Sequence, residues 1–201
     1  MVRPAIACFA LLLAACSPPD EDTIVFAVAT APGVLDPRLA SDAASERVNA
    51  LLYDRLVVLD GEGRPGPSMA SWQRLGPRHY RIRLLPRRAA FWDGSLPRAA
   101  DVEATYRSLL EPGLGSPHAS ALEHIEKVVA ISESEVDFHL SRADPGFPSR
   151  LTIGIVPAQS LEDGELARRP AGSGPFRFLK WRDDGGVLLH RRLDEQQIAL
   201  V

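Results

Sequence analysis

A strand, a tight aromatic turn and a helix follow one another within residues 79–106, and this succession limits how the chain can fold. Residues 79–84 alternate apolar and charged side chains, which predicts a strand with one buried side. Phe91-Trp92 runs into Asp93-Gly94, where we expect a tight turn because glycine adopts positive φ and aspartate caps turns with its carboxylate. Beyond Pro97 the apolar spacing becomes helical, and four side chains share one face: Val102, Tyr106, Leu109 and Leu110.

Further elements are predicted on both sides of this stretch. Residues 23–29 are apolar on both faces, which is typical of a covered central strand. Residues 41–56 have helical apolar spacing, with Ser41 as the expected N-cap. Two hairpins are predicted further along, over residues 128–140 and 176–189. In the first of these hairpins, Asp137 and His139 are expected on the solvent side.

The first fifteen residues are predicted to be a signal peptide. A short basic start precedes an apolar run, residues 5–15, that is too short to span a bilayer. The run ends in Leu-Ala-Ala followed by Cys16, which resembles the lipobox of bacterial lipoproteins, so we predict lipid attachment at Cys16. Residues 16–22 are polar and form a tether. The alternative is an ordinary signal peptide in which Cys16 is incidental.

Cysteine use argues against a disulfide-stabilised protein, and the charge pattern argues against a nucleic-acid-binding one. Cys8 would leave with the signal peptide, so Cys16 would be the only cysteine of the mature chain and no structural disulfide could form. The formal net charge is −3. No basic stripe interleaved with aromatic residues stands out, which argues against a nucleic-acid partner.

A series of motifs, in order along the chain, resembles the extracytoplasmic solute-binding proteins of ABC transporters, family 5, which take peptides, dipeptides or nickel. Within residues 80–102 the matching residues are Tyr80, Ile82, Leu84, Phe91, Asp93, Gly94, Ala99, Asp101 and Val102. Shorter matches are Leu35-Asp36-Pro37, Pro67 to Trp72, Ile155-Val156-Pro157 and Gly172 to Phe176. One departure is Arg98, which replaces a helix-capping threonine and should cost the helix about 1 kcal/mol.

The resemblance implies an α/β fold, the first lobe of a type II periplasmic-binding-protein-like architecture. Residues 23–45 and 165–201 would form the main lobe, a mixed sheet that is incomplete. Residues 46–164 would be inserted in it as a smaller α+β subdomain. Because relatives continue well beyond this length, we expect an N-terminal fragment or an unusually short member, with weak solute affinity by itself.

The resemblance also implies a function of binding without catalysis or cofactor. The protein would capture a peptide-like solute or a metal chelate in the periplasm or cell envelope, and deliver it to ABC permease subunits. It would be a monomer held at the membrane by its lipid anchor. Two segments are candidates for the ligand cleft: Thr30, Ala31, Pro32 and Gly33, and also Gly172, Ser173 and Gly174. For the first segment, the simpler interpretation is a loop leading to a turn at Asp36-Pro37.

Three other interpretations compete with solute binding. A hydrolase would need a nucleophile, but Ser173 lies directly between glycines with proline following, unlike the G-x-S-x-G of esterases. A zinc site at His118 and His124 is disfavoured because six residues separate them, which puts them on different faces of a helix. An envelope lipoprotein that docks partners without binding a solute remains open.

Overall fold

The structure, a computed structural model, describes residues 30–162, 166, 169–183 and 185–192. In chain order its strands are β1 (Val57–Leu59), β2 (Pro65–Pro67), β3 (Ala70–Gly76), β4 (His79–Leu84), β5 (Ile125–Ala130), β6 (Glu135–Leu140), β7 (Phe176–Trp181) and β8 (Val187–Arg191). Its helices are α1 (Ala43–Leu52), α2 (Ala99–Leu110), α3 (Ala119–Leu122) and α4 (Ala158–Glu162). Within these residues, none of the helices is long and apolar enough to cross a membrane.

A four-stranded antiparallel sheet in the order β3–β4–β6–β5 forms the larger half of the structure. The predicted alternation of β4 is confirmed, since Tyr80, Ile82 and Leu84 are buried on one side of it. In the register, Tyr80 lies opposite Phe138 of β6. Helix α2 packs on this side, and its Tyr106 ring meets the Phe138 ring edge to face at 5.2 Å. The amphipathic pattern beyond Pro97 therefore produced the helix that was expected.

Helix α2 begins without a capping side chain from Arg98, as its chemistry predicts. Asp101 compensates from inside the first turn. One of its carboxylate oxygens accepts the backbone N–H of Arg98 at 2.7 Å, and the other accepts the N–H of Ala158 at 2.8 Å. The same carboxylate thus supports the start of α2 and fastens it to the start of α4.

Helix α1 differs from its prediction at its start. Its N-cap is Asp42, not Ser41, because the Asp42 carboxylate accepts the N–H groups of Ala44 and Ser45. The helix ends at Leu52, where the backbone becomes extended at Tyr53, so the helical apolar spacing to residue 56 continues beyond the helix itself. Beyond that point the chain joins a β-bridge between Arg55 and Gly154.

The apolar side chains form two clusters. The larger one lies within residues 56–155, between the four-stranded sheet and α2. The smaller one joins α1 to the β7–β8 hairpin through residues that include Leu35, Val48, Leu52 and Tyr53.

The predicted division of the chain into a main lobe and an inserted subdomain stays a prediction. The strands predicted at residues 23–29 and 198–201 lie outside the described residues, and so do Cys16 and the tether.

Candidate functional site

The glycine-rich segment at residues 172–174 lies directly against the C-terminal end of α1. The N–H of Gly174 donates to the Leu52 carbonyl at 3.0 Å. A Cβ on Gly172 would overlap that carbonyl oxygen, and one on Gly174 would come within 2.5 Å of the Leu51 oxygen. Because side chains cannot be fitted there, glycine at these two positions lets two backbones touch.

The aromatic turn docks on the same segment. The backbone N–H of Trp92 donates to the Gly172 carbonyl, and its indole Nε1–H donates to the Phe176 carbonyl, both at 3.1 Å. Gly94 has φ of +91°, and the Asp93 carboxylate accepts the Ser95 N–H, so the predicted turn is confirmed. The turn therefore connects the larger half of the structure to the beginning of β7.

Arg192 covers this contact from the other side. Its guanidinium carbon lies 4.3 Å from the centre of a Trp92 ring, within range of a cation–π interaction. Its Nη2 donates to the Ala90 carbonyl at 2.8 Å, and its backbone N–H donates to the Pro175 carbonyl at 2.7 Å. Arg192 thus holds the turn and the end of β8 together.

Asp54 is the acidic member of this group. Burial raises the pKa of its carboxyl, while the Ser173 hydroxyl and the Arg192 charge oppose that rise. Ser173 is buried, and its Oγ lies beside the carboxylate but outside ordinary hydrogen-bond geometry. We call Asp54, Trp92, Ser173 and Arg192 the junction cluster, because they lie where the two halves of the structure meet.

Ser173 is not placed for nucleophilic catalysis, although the Asp54 carboxylate lies beside its Oγ. The residue is only 1% exposed, so a substrate carbonyl has no open approach to the Oγ. A nucleophilic serine also needs a base oriented to take its proton. The burial of Ser173 therefore gives no support to a hydrolase at this position.

The other candidate segment, residues 30–33, lies at the opposite end of α1. The N–H groups of Gly33 and Val34 both donate to the Ser45 hydroxyl, at 2.9 and 3.0 Å. Ala31 adjoins Gly185 in the β7–β8 turn. Thr30, Ala31 and Gly33 are exposed, whereas Pro32 is buried.

The two candidate segments therefore attach near opposite ends of α1. From Ser45 to Leu52 the helix rises about 10 Å, at 1.5 Å per residue, and this separates the places where the segments attach. A solute that touched both would have to reach along α1. Their role in ligand binding stays a prediction.

The histidines take positions that the sequence did not reveal. His124 is buried, with its Nε2 2.8 Å from Asp144, while His118 precedes α3. A different group converges instead: the potential ligand atoms of His79, Asp137 and His139 all lie within 4.8 Å of one another.

The prediction that Asp137 lies on the solvent side is wrong about the exposure of its side chain. Its side chain is only 8% exposed because neighbouring strand residues cover it.

Residues outside the sequence-based candidates thus make up much of the site. Asp54 and Arg192 stand far apart in the sequence, and no motif links them. The histidine pair lies on strands separated by more than forty residues, so only the register of β4 on β6 could have shown it.

The comparison with protein families decides what this arrangement belongs to. The model of the bacterial extracellular solute-binding proteins, family 5, matches residues 69–194, which include Trp92, Ser173 and Arg192. The chain belongs to this family. Its members are extracellular solute-binding proteins.

Individual family-5 relatives show the same likeness over most of the chain. The probable D,D-dipeptide-binding periplasmic protein DdpA of Escherichia coli K12 is 28% identical over 185 residues, covering 84% of this chain and 36% of that protein. The oligopeptide-binding protein AppA of Bacillus subtilis is 28% identical over 177 residues, covering 81% and 32%. The chain thus spans about a third of the length of these relatives.

Solved structures of family-5 proteins confirm the fold class. AppA of Bacillus subtilis, in complex with a nonapeptide, superposes with a TM-score of 0.70 at 28% identity, covering 81% of this chain and 34% of that one. NikZ of Campylobacter jejuni, in complex with Ni(L-His), gives a TM-score of 0.73 at 23% identity, covering 90% and 41%. The expected α/β architecture of the family's N-terminal part is therefore present.

Proposed function

We propose that this chain provides the first lobe of a substrate-binding protein that captures peptides, or a related small solute, for an ABC importer. The family match across residues 69–194 carries the proposal. The names of DdpA and AppA, which describe dipeptide and oligopeptide binding, favour a peptide-like solute. A metal chelate is the second candidate, since NikZ was solved with Ni(L-His).

The junction cluster gives this lobe a stiff wall for ligand capture. Trp92 is held by two hydrogen bonds and by the guanidinium of Arg192. A preorganised wall loses little side-chain freedom when a ligand binds, and this favours affinity. We propose that the exposed residues of the loop at 30–33 and the partly exposed side chains of the junction cluster contribute the first lobe's ligand contacts.

Ligand binding in this proposal is coupled to domain closure. A ligand cleft buries most of a small solute's surface, so a second wall has to close on the first. Closure shifts the population toward the state in which the ligand touches both walls. That closed state is the form proposed to dock on the permease subunits.

Anchoring completes the proposal. Cys16 would carry the lipid, and residues 16–22 would tether the binding lobe to the membrane from the periplasm or cell envelope. Because a single acyl chain binds membranes only weakly and reversibly, the anchor should contain more than one chain. The protein would act as a monomer.

The proposal is tested on the protein purified from the envelope of its own host. Mild denaturation should release the bound solute, and mass spectrometry should identify a short peptide or a chelate at up to one molecule per chain. A refolded protein that includes the second lobe should then bind that solute saturably in isothermal titration, whereas residues 1–201 alone should bind it only weakly. If no solute is released and none of a panel of di- to pentapeptides and nickel chelates binds, the protein is an interaction lipoprotein and not a transport component.

A further inference from the structure

Two histidines and one aspartate meet on the side of the four-stranded sheet that faces away from α2. His79 of β4 lies directly opposite His139 of β6, and their rings stack with centroids 4.3 Å apart. Asp137 lies two residues before His139, on the same side of β6. The three potential ligand atoms lie within 4.8 Å of one another.

One ring nitrogen in this group faces the carboxylate. His79 Nε2 is buried and lies 3.1 Å from an Asp137 carboxylate oxygen, close enough to pair with it. A nitrogen and an oxygen ligand of one tetrahedral zinc ion lie about 3.3 Å apart, given metal–ligand bonds of about 2.0–2.1 Å. The observed separation therefore suits two atoms that share a cation.

Arg81 fixes the orientation of the carboxylate. Its Nε donates to Asp137 Oδ1 at 2.8 Å, and its Nη2 donates to Oδ2 at 2.9 Å. Hydrogen bonds of this kind hold metal-ligating carboxylates in place in characterised sites. A bound ion would compete with Nη2 for Oδ2, whereas the bond from Nε to Oδ1 could persist.

We propose that His79, Asp137 and His139 form a binding site for a divalent transition-metal ion, with Zn²⁺ as the representative case. Imidazole and carboxylate ligands suit such ions, and three protein ligands leave a fourth position for water. The His79 side chain is 31% exposed although its Nε2 is buried, so the three residues lie close to the solvent-facing surface of the sheet. The terminal torsion of His139 is soft, so rotation of its ring can change the distance from its nitrogens to the other two ligand atoms.

The site is separate from the proposed solute-binding wall. Neither histidine belongs to the junction cluster or to residues 30–33, and β4 places His79 at the end remote from the aromatic turn. The metal proposal consequently stands or falls independently of peptide capture.

Zinc titration of the untagged, metal-stripped mature protein tests the site. The protein carries Cys16→Ser so that no thiol competes for the ion, and a chromophoric chelator reports free Zn²⁺. We expect one ion per chain. His79→Ala and His139→Ala should each weaken binding by at least about 100-fold, because loss of a ligand exceeds the 10–100-fold effect of losing a ligand's hydrogen-bond partner. His190→Ala, which removes an exposed histidine elsewhere, should leave binding unchanged.

A second measurement guards against misfolded variants. Zn²⁺ should perturb the imidazole NMR signals of His79 and His139 in the unsubstituted mature form, and leave those of His118 and His190 in place. It should also raise the melting temperature of that form but not that of His139→Ala. Absence of saturable binding would overturn the proposal. Equal binding by His79→Ala and the unsubstituted form, with both folded, would do the same.

Discussion

Asp54 and Asp144 are carboxylates whose surroundings move their pKa values in opposite directions. Burial raises the pKa of Asp54, and the contributions of Ser173 and Arg192 do not cancel it. Burial also acts on Asp144, but Arg150, the Gly146 N–H and His124 together outweigh it and lower the pKa. Ionisation at neutral pH therefore works against the folded state at Asp54 and in its favour at Asp144.

Asp54→Asn should stabilise the protein at pH 7. The folded state holds the Asp54 proton more tightly than the unfolded state, so stability falls as pH rises from about 4 through the raised pKa, and asparagine removes this loss. Denaturant midpoints between pH 3 and pH 8 measure the effect. The advantage of the variant should disappear at the acid end, and a pH-independent difference would contradict the stated cause.

Asp144→Asn should change stability with pH in the opposite sense to Asp54→Asn. Its depressed pKa means that the carboxylate contributes stability above about pH 4, which is lost as pH falls through the folded-state value. The substitution should cost about 1–3 kcal/mol at pH 7, since it weakens hydrogen bonds with Arg150 and with the Gly146 N–H. The loss should shrink in acid, the reverse of the behaviour expected for Asp54→Asn.

Gly94 tests the conformation of the aromatic turn. Its φ of +91° is disfavoured for residues with a Cβ, although the space around it is open. Gly94→Val should therefore destabilise the protein by about 1–3 kcal/mol through the backbone alone. Gly61 has equally open surroundings without a positive φ, so Gly61→Val is the control and its denaturant midpoint should move much less.

At the level of elements, the start of α2 shows a cap that is only half made. Asp101 accepts the Arg98 N–H, but Arg98 offers no acceptor in return. The Arg98 side chain contributes instead a 3.3 Å ion pair with Glu133, and both partners are largely exposed. Exposed ion pairs of this kind contribute little. The position is therefore one where a different residue would serve the helix better.

Arg98→Thr should stabilise the protein by about 0.5–1 kcal/mol, because threonine accepts an unpaired N–H of the first turn. Arg98→Ala removes the ion pair without adding a cap and should change stability by less than about 0.5 kcal/mol. Thermal and denaturant unfolding of the three proteins measure the difference. Equal stability of the threonine and alanine variants would show that the cap is not the missing contribution.

Elements with strong periodicity could be predicted from sequence, whereas their pairings could not. The alternation in β4 and the helical spacing of α2 are local patterns, and both were confirmed. The N-cap of α1 was misplaced by one residue, because Ser41 and Asp42 are both good caps and local chemistry does not choose between them. The meeting of His79 with Asp137 depends on the register between two strands, which a single sequence does not encode locally.

At the level of the whole molecule, the contact between residues 172–174 and α1 holds the chain that enters β7 against the end of the first helix. Gly172→Ala should cost about 3 kcal/mol or more, because its Cβ would overlap backbone that belongs to the helix end. Gly113→Ala, with open space around it, should be nearly neutral. Denaturant unfolding should give a clearly lower midpoint for Gly172→Ala, and equal midpoints for the two variants would contradict this packing.

The proposed lipid anchor also concerns the whole molecule. Cys16→Ser should release the protein from the membrane fraction into the soluble envelope fraction, because the serine hydroxyl is not lipidated in this pathway. Fractionation and immunoblotting measure the distribution. Retention of the variant at the level of the unsubstituted protein would refute the lipobox interpretation. Ser17→Ala, one residue beyond the attachment point, should leave the protein bound.

The bond between Gly174 and Leu52 joins residues that lie roughly 120 positions apart in the chain. Closing so long a loop is entropically costly and contributes to slow folding. As the chain emerges, residues 56–155 can assemble their own cluster before β7 and β8 are available to cover the apolar side of α1. Val48 and Leu52 are then exposed to solvent until the chain beyond residue 190 has emerged. The nascent protein therefore has a late, obligatory docking step, during which its first helix is open to chaperones and to aggregation.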